Sequence, residues 1–485
     1  MFLQMLCLML SSKSVFAQND TPAKDCNCLT NLNLFIKKIE SNYVGYKYKI
    51  IGKESKISQF TDSLRTVAKR IGNKNCIPVL HTWANFFDDP HVSVFIVEDQ
   101  KPSNLTHDFF ADEQKIALNE EQVIKYLNSK NIKDIVEGIW LSQSGKTKVA
   151  IIRDKTKKYD FIGFTLKADT LYWSPGEIRM QILKRKNKYE TIFYDNSRQT
   201  STLTFELLQS KDKTLLLSFL EVEAIWKREY PKEVILQLPN TSSAVHNTDF
   251  RLTKVNEKTL LLSLPSFERE YRKKIDSLIE NNLSQIKRTP NLIIDVRNNG
   301  GGSVFSYEKI LPLLYTNPII KPQFSTWATE DNITLAKSVL QDSSRMNKWD
   351  DWRRYAEEME QHKGKLYEDT KVDTIRLAEV YKYPSKIAVL TNQGTASAAE
   401  FFLLDALQSS KVKIFGTPTA GIVTFVEYVN YNSMPCAMYN FVYPIAQNNA
   451  ILKNGDGRTK IQPTEIIADS VRDWIKWTEL RFAKW

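Results

Sequence analysis

The segment 391–421, TNQGTASAAEFFLLDALQSSKVKIFGTPTAG, constrains the chain most. Residues 386–390 form a compact apolar run with the pattern of a buried strand, and 398–407 repeat apolar residues at helical spacing. Between them a turn of small residues carries Ser397. This places Ser397 at a helix N-terminus, where the first free backbone N–H groups point outward and favour negative charge. An attacking hydroxyl and an oxyanion cradle could then come from one turn. The plain alternative is a serine that only caps its helix.

The same α/β alternation runs upstream. Residues 260–264 read as a strand, and 271–286 as an amphipathic helix with Ile275, Leu278, Ile279 and Leu283 inward. Residues 291–296 read as a second buried strand, with Asp295 near its end. Arg297, Asn298, Asn299, Gly300, Gly301, Gly302 and Ser303 follow, then a helical run at 307–315. Consecutive glycines after a buried strand let backbone approach a ligand closely and expose N–H groups, a second source of oxyanion donors. A phosphate loop would need a Gly-Lys-Ser/Thr ending or Rossmann spacing, and neither is present. Residues 331–367 are charged, with Leu335, Val339, Trp349, Trp352, Tyr355 and Met359 spaced as one or two amphipathic helices. A long insertion of this kind between core strands often covers a site.

Toward the amino terminus the pattern changes twice. Between residues 29 and 87 three helical faces are legible: Leu32, Phe35, Ile36 and Ile39; Phe60, Leu64 and Val67; Ile77, Leu80, Trp83, Ala84 and Phe87. Asp88, Asp89, Pro90 and His91 end this run, and 92–95 alternate as a strand. Pro90 stops the helix and leaves His91 at an element boundary, facing either a cleft or bulk solvent. From about 98 to 238 come many short runs rich in β-branched and aromatic residues, separated by charged turns, which predicts a barrel or sandwich. The Trp173–Gly176 tetrapeptide within it reads as a turn.

The chain has 485 residues, 42% hydrophobic and 25% charged, enough for more than one core. Its net charge of +11 is spread along the length, without the basic block of a nucleic-acid-binding arm. Residues 2–10 are nearly all apolar but too short to span a bilayer, and Val15, Phe16 and Ala17 before Gln18 resemble a leader cleavage site. The expectation is an exported protein, periplasmic or extracellular, with no transmembrane segment after leader removal. Cys26, Cys28, Cys76 and Cys436 then remain, and one bridge between the Cys26/Cys28 region and Cys76 is expected. A zinc site is disfavoured: two cysteines lie one residue apart, and His81, His91, His107, His246 and His362 show no ligand spacing. Neither metal nor cofactor is expected.

Three ordered motifs carry a resemblance. NLIIDVRNNGGG at 291–302, IAVLTNQGTASAAE at 387–400 and IFGTPTAG at 414–421 resemble the core motifs of the carboxyl-terminal processing and tricorn-type serine peptidases, the tail-specific protease superfamily. The match covers about the last half of the chain and, more weakly, the Asp89-Pro90-His91 segment. The resemblance implies an α/β fold with a crotonase/ClpP-like core of stacked βα units. Added to it are an amino-terminal helical lobe and a β-rich middle domain. The boundaries follow as a leader at 1–17, a helical lobe at 18–97 carrying His91, a β-rich domain at 98–240, and a peptidase core at 241–485 with a helical insertion at 323–380. The resemblance also implies a serine nucleophile at Ser397 and an oxyanion hole from the Ala398 N–H with Gly301 or Gly302.

In the processing branch a lysine base follows the glycine of the last motif. Here Gly421 is followed by Ile422, and the PDZ module of that branch has no visible counterpart. In the tricorn-like branch a histidine from an amino-terminal segment is the base, which makes His91 the candidate. Neutral imidazole accepts a serine proton near pH 7, and a third group usually fixes its tautomer. By rough alignment of the tail that group is Asp456, with Glu465 and Asp89 as rivals. Glu400, one helical turn after Ser397, matches a glutamate that supports the site.

These residues predict an exported serine peptidase that hydrolyses peptide bonds through an acyl-enzyme, with a peptide or protein substrate added alongside a core strand and no nucleic-acid partner. The alternative is a non-catalytic peptide- or small-ligand-binding protein on the same fold.

Overall fold

The computed structural model describes residues 25–485 apart from 98–99, 102–104, 112–113, 130–133, 143, 186–187, 210–214, 220–224, 233–248, 339–348, 369–372, 453–459, 469 and 472. The expected leader at 1–17 and the candidate acid Asp456 lie outside the described residues.

Six strands form the central sheet, in the order Arg251–Asn256, Thr259–Ser263, Asn291–Asp295, Lys386–Thr391, Val412–Gly416 and Glu465–Ile466. The first pair is antiparallel and every later neighbour is parallel. Side chains alternate across the sheet. Leu292, Ile294, Ile387 and Val389 bury in one core with the helices Arg272–Ile286 and Ala398–Ala406. Ile293, Ala388 and Leu390 enter a second core with Phe482 of the helix Trp474–Phe482. Cover on both faces explains why these strands read as continuous apolar runs rather than as an alternation.

The amino-terminal helices Cys28–Asn42, Glu54–Ile71 and Ile77–Ala84 do not close a core of their own. Leu32, Phe35, Ile39, Leu80, Trp83 and Phe87 share one core with Phe425, Val429, Phe441 and Tyr443. These last four belong to the paired strands Phe425–Tyr431 and Tyr439–Asn448. The strand Ser93–Ile96 continues the same sheet, with Ser93 opposite Val442. Two disulfides reinforce the arrangement. Cys28–Cys76 is the expected bridge, and Cys26–Cys436 is an additional one that joins segments 410 residues apart.

Eight antiparallel strands between Gly138–Ser142 and Ile225–Tyr230 close into a barrel, the last pairing with the first. Trp140, Phe161, Met180, Phe205 and Trp226 fill its interior. Ile139, Ile152 and Phe164, on the opposite faces of their strands, pack with Val123 and Leu127 of the helix Glu120–Ser129. Within the insertion, the helices Glu330–Ser338 and Trp349–Gln361 are flanked by strands Phe324–Trp327 and Leu366–Glu368, which join the sheet containing Tyr439–Asn448. The expected helical insertion therefore has two strands at its base. Its helices dock near the amino terminus: Lys38 Nζ lies 2.8 Å from Asp331 Oδ1, and Thr329 Oγ1 donates to Asn42 Oδ1 at 2.6 Å.

Candidate active site

Parallel pairing sets Asp295 opposite Leu390, so the loops leaving those two strands emerge side by side at the carboxyl edge of the sheet, where ligands bind in open α/β folds. Polar side chains then stitch the loops together. Asn298 N–H donates to Asn392 Oδ1 at 2.8 Å, Asn392 Nδ2 donates to Asn298 Oδ1 at 2.7 Å, and Thr395 Oγ1 donates to the Val296 carbonyl at 2.9 Å. Asn299 is fully buried. It gives Nδ2 to the Leu264 carbonyl, accepts from Gly301 N–H at 3.0 Å, and its carbonyl takes the Ala396 N–H at 2.9 Å.

Ser397 sits at the end of this turn with φ 52°, a left-handed conformation uncommon for a residue bearing a Cβ. Strain of this kind concentrates at functional sites, where surrounding bonds over-determine it. Here Glu400 supplies them. Its carboxylate, fully buried, accepts from Ser397 N–H at 3.0 Å, Ile422 N–H at 3.0 Å, Gly421 N–H at 2.8 Å and Thr419 Oγ1 at 2.6 Å. Burial pushes the Glu400 carboxyl above its ordinary pKa, and these donors pull in the opposite direction without cancelling it.

Ser397 N–H is occupied by Glu400 and Gly301 N–H by Asn299, while Ala398, next to the serine, and Gly302, next to Gly301, are open as donors. Neither N–H makes a hydrogen bond among the described residues. Gly301 serves space instead: at φ 99°, an added Cβ would lie 2.7 Å from the Ala396 carbonyl oxygen and from Ser397 Cβ, and 2.8 Å from Ala398 N. We predict that Gly301→Ala lowers kcat/KM about 100-fold by displacing the serine turn, and costs about 1–3 kcal/mol of stability. Gly300→Ala, whose Cβ would meet nothing within 4 Å, is the control and leaves both within about twofold or 0.5 kcal/mol. Peptide hydrolysis and urea unfolding of the two variants check this.

His91 follows a left-handed Asp88, at φ 46°, that ends the preceding helical turn. Its imidazole is largely covered, with 14% of the side chain exposed, and it stacks on Tyr428 with ring centroids 5.7 Å apart and planes 15° from parallel. Asp89 Oδ1 accepts from His91 N–H at 3.0 Å and lies 3.4 Å from Nδ1, outside hydrogen-bond geometry, while Tyr43 donates its hydroxyl to Asp89 Oδ2 at 2.6 Å. Burial raises the Asp89 pKa, but the adjacent His91 imidazole and its backbone N–H, together with the Tyr43 hydroxyl, outweigh it and hold the carboxyl below its ordinary value.

The residues named from sequence therefore fall into two groups. Ser397, Ala398, Glu400, Gly301 and Gly302 converge on one turn. His91 sits on the amino-terminal segment, and among the described residues no hydrogen bond joins it to Ser397. The link between the groups is the chain itself: Ile422, held by Glu400, is followed three residues later by the strand that carries Tyr428. Glu465 is committed elsewhere, paired with Arg481 at 2.5 Å on the edge of the sheet. Asn299, Thr395, Thr419 and Tyr428 were not singled out in the sequence. Only their place inside or beside the three motifs could have signalled the first three. Among the described residues no cluster of His, Cys, Asp and Glu could hold a metal ion.

Residues 258–470 match the model of peptidase family S41, so this segment of the chain is similar to that family. The match is to a family of serine-type peptidases, whose substrates are peptides or proteins. Mature CPAF is a structural neighbour at 15% identity, covering 95% of this chain and 96% of its own with a TM-score of 0.50, which shows a shared fold. The photosystem II D1 C-terminal processing protease aligns at 12% identity over 92% of this chain and 94% of its own, TM-score 0.36. The tricorn protease aligns at 12% identity over 91% of this chain and 34% of its own, TM-score 0.34. Curated protein sequences gave no match.

Proposed function

We propose that the protein is an exported serine peptidase in which Ser397 attacks the scissile carbonyl, His91 accepts its proton, and Ala398 N–H with Gly302 N–H receives the developing oxyanion. The observation that carries this reading is the left-handed Ser397 held at a helix N-terminus by Glu400, beside the Ala398 N–H, which has no partner among the described residues. Asp89 is the acid that contacts the imidazole and would stabilise its charged form after proton transfer. The acyl-enzyme then forms as the leaving amine takes the proton from His91, and water reverses the sequence. Export is supported by the apolar run at residues 2–10 and by two disulfides, which persist in oxidising compartments.

No helix among the described residues is long and apolar enough to cross a membrane. Among the described residues no hydrogen bond joins Ser397 to His91, and catalytic contacts of this kind often tighten only in a substrate complex. The test is covalent labelling by a fluorophosphonate. Ser397 is expected to be the labelled residue, with the rate falling about 100-fold or more in His91→Ala. Labelling at another residue, or an unchanged rate in His91→Ala, would sink the assignment.

A further inference from the structure

A second non-glycine residue with positive φ lies close to the base, and the reading above gives it no role. Glu427 has φ 54° within the strand Phe425–Tyr431 and is buried. The register to the neighbouring strand runs unshifted across it, with Val426 facing Ala446 and Tyr428 facing Pro444, while Glu427 itself has no paired residue. The next side chain is Tyr428, the platform on which His91 stacks. Register makes the proximity necessary. Ser93 faces Val442, so continuing that pairing by two residues brings His91 to the row that holds Pro444 and Tyr428.

The Glu427 carboxyl points toward the insertion. It is hydrogen-bonded to Tyr355 of the helix Trp349–Gln361, itself fully buried, and Tyr355 Oη lies 3.0 Å from Thr326 Oγ1 on the strand Phe324–Trp327. Tyr367, on the strand Leu366–Glu368, acts on Tyr355 from the far side. Among the described residues no basic side chain pairs with Glu427. A buried acid without a cation, at a positive φ inside its own strand, is an arrangement that ordinary strand stability would not select.

We propose that Glu427 is a positioning residue: its buried side chain pins its own positive-φ conformation in the strand 425–431 to the insertion helix, and that conformation sets Tyr428 beneath the His91 imidazole. The inference rests on His91 being the base. It assigns the insertion a task, that of bracing the surface on which the base stands. It also makes that brace dependent on pH. Burial pushes the Glu427 carboxyl up to about 8, against a smaller opposing effect of the Tyr355 hydroxyl, so the group is protonated in the folded protein at neutral pH. Its contribution to stability is fully present below the unfolded-state carboxyl pKa and is lost as pH rises through about 8.

The experiment uses the full chain and three variants: Glu427→Gln, Glu427→Ala and Tyr355→Phe. Glu427→Ala is expected to lower kcat about tenfold with KM within twofold, and Glu427→Gln to restore most of that loss. The wild type should lose activity as pH rises past about 8, whereas Glu427→Gln should not. Tyr355→Phe should lower kcat in the same sense as Glu427→Ala. The thermal midpoint of Glu427→Gln relative to wild type should climb between pH 5 and 8, a readout independent of catalysis. Wild-type kcat in Glu427→Ala, or an identical alkaline fall in Glu427→Gln, overturns the proposal. If His91→Ala alone keeps full labelling while the midpoint difference still climbs with pH, the base assignment has failed and the buried-acid brace has not.

Discussion

Replacing Ser397 by alanine is expected to abolish peptide hydrolysis, with kcat falling by about 10⁴–10⁶-fold, while the unfolding free energy changes by less than about 1 kcal/mol. The separation of the two effects follows from the backbone. Serine and alanine both carry a Cβ, so both endure the same strain at φ 52°, and the Glu400 brace acts on the Ser397 N–H rather than on its hydroxyl. Losing Oγ therefore removes the nucleophile and little else. Ser397→Gly sharpens the test, because glycine accepts a left-handed φ freely. It should be equally inactive yet more stable by about 1 kcal/mol, the direction expected if strain is held at this residue for function. Hydrolysis and urea denaturation, measured side by side, decide the matter. An active alanine variant would end the case for Ser397, and a glycine variant less stable than wild type would end the case for stored strain.

The second large effect concerns the bridge between Cys26 and Cys436. Cys26→Ser with Cys436→Ser is expected to cost about 2–5 kcal/mol and to reduce activity more than tenfold, because the amino-terminal segment carrying His91 is anchored through this bond to the peptidase half. The chain-entropy account makes a bridge across 410 residues more valuable than the Cys28–Cys76 bridge across 48. Activity should not vanish, since other links hold the two ends together. Cys436 N–H donates to Asn31 Oδ1 at 3.0 Å, Cys76 N–H donates to the Tyr439 hydroxyl at 2.9 Å, and the apolar core is shared. Guanidinium unfolding of the double variant, with parallel assay of hydrolysis, checks this. Equal losses from removing either bridge would argue against a special role for the longer one.

Both expectations trace to how unevenly the molecule was legible from its residues. Period and composition located the strands around Leu292 and Val389, the helix behind Ser397 and the amino-terminal helices, because burial imposes a pattern on contiguous residues. The ordered motifs went further and marked Ser397, Ala398 and the glycine run. Asn299 and Thr419 escaped notice because their work is done across loops, and hydrogen bonds to residues 35 and 42 positions away leave no periodic trace. His91 was identified by resemblance, but its contact with Asp89 depended on a two-residue turn whose geometry no spacing rule specifies.

The amino-acid sequence by itself determined the local elements, the family resemblance and the presentation of a serine at a helix start. These depend on neighbours in the chain, and local burial and backbone preference are written there. Tertiary structure decided the rest: which N–H groups remain available once Glu400 and Asn299 have taken theirs, and which cysteine partners Cys436. It also decided that Tyr428, steered by Glu427, is the surface on which His91 stands. The Cys26–Cys436 bridge and the His91–Tyr428 stack join segments hundreds of residues apart, and only the folded packing specifies who meets whom.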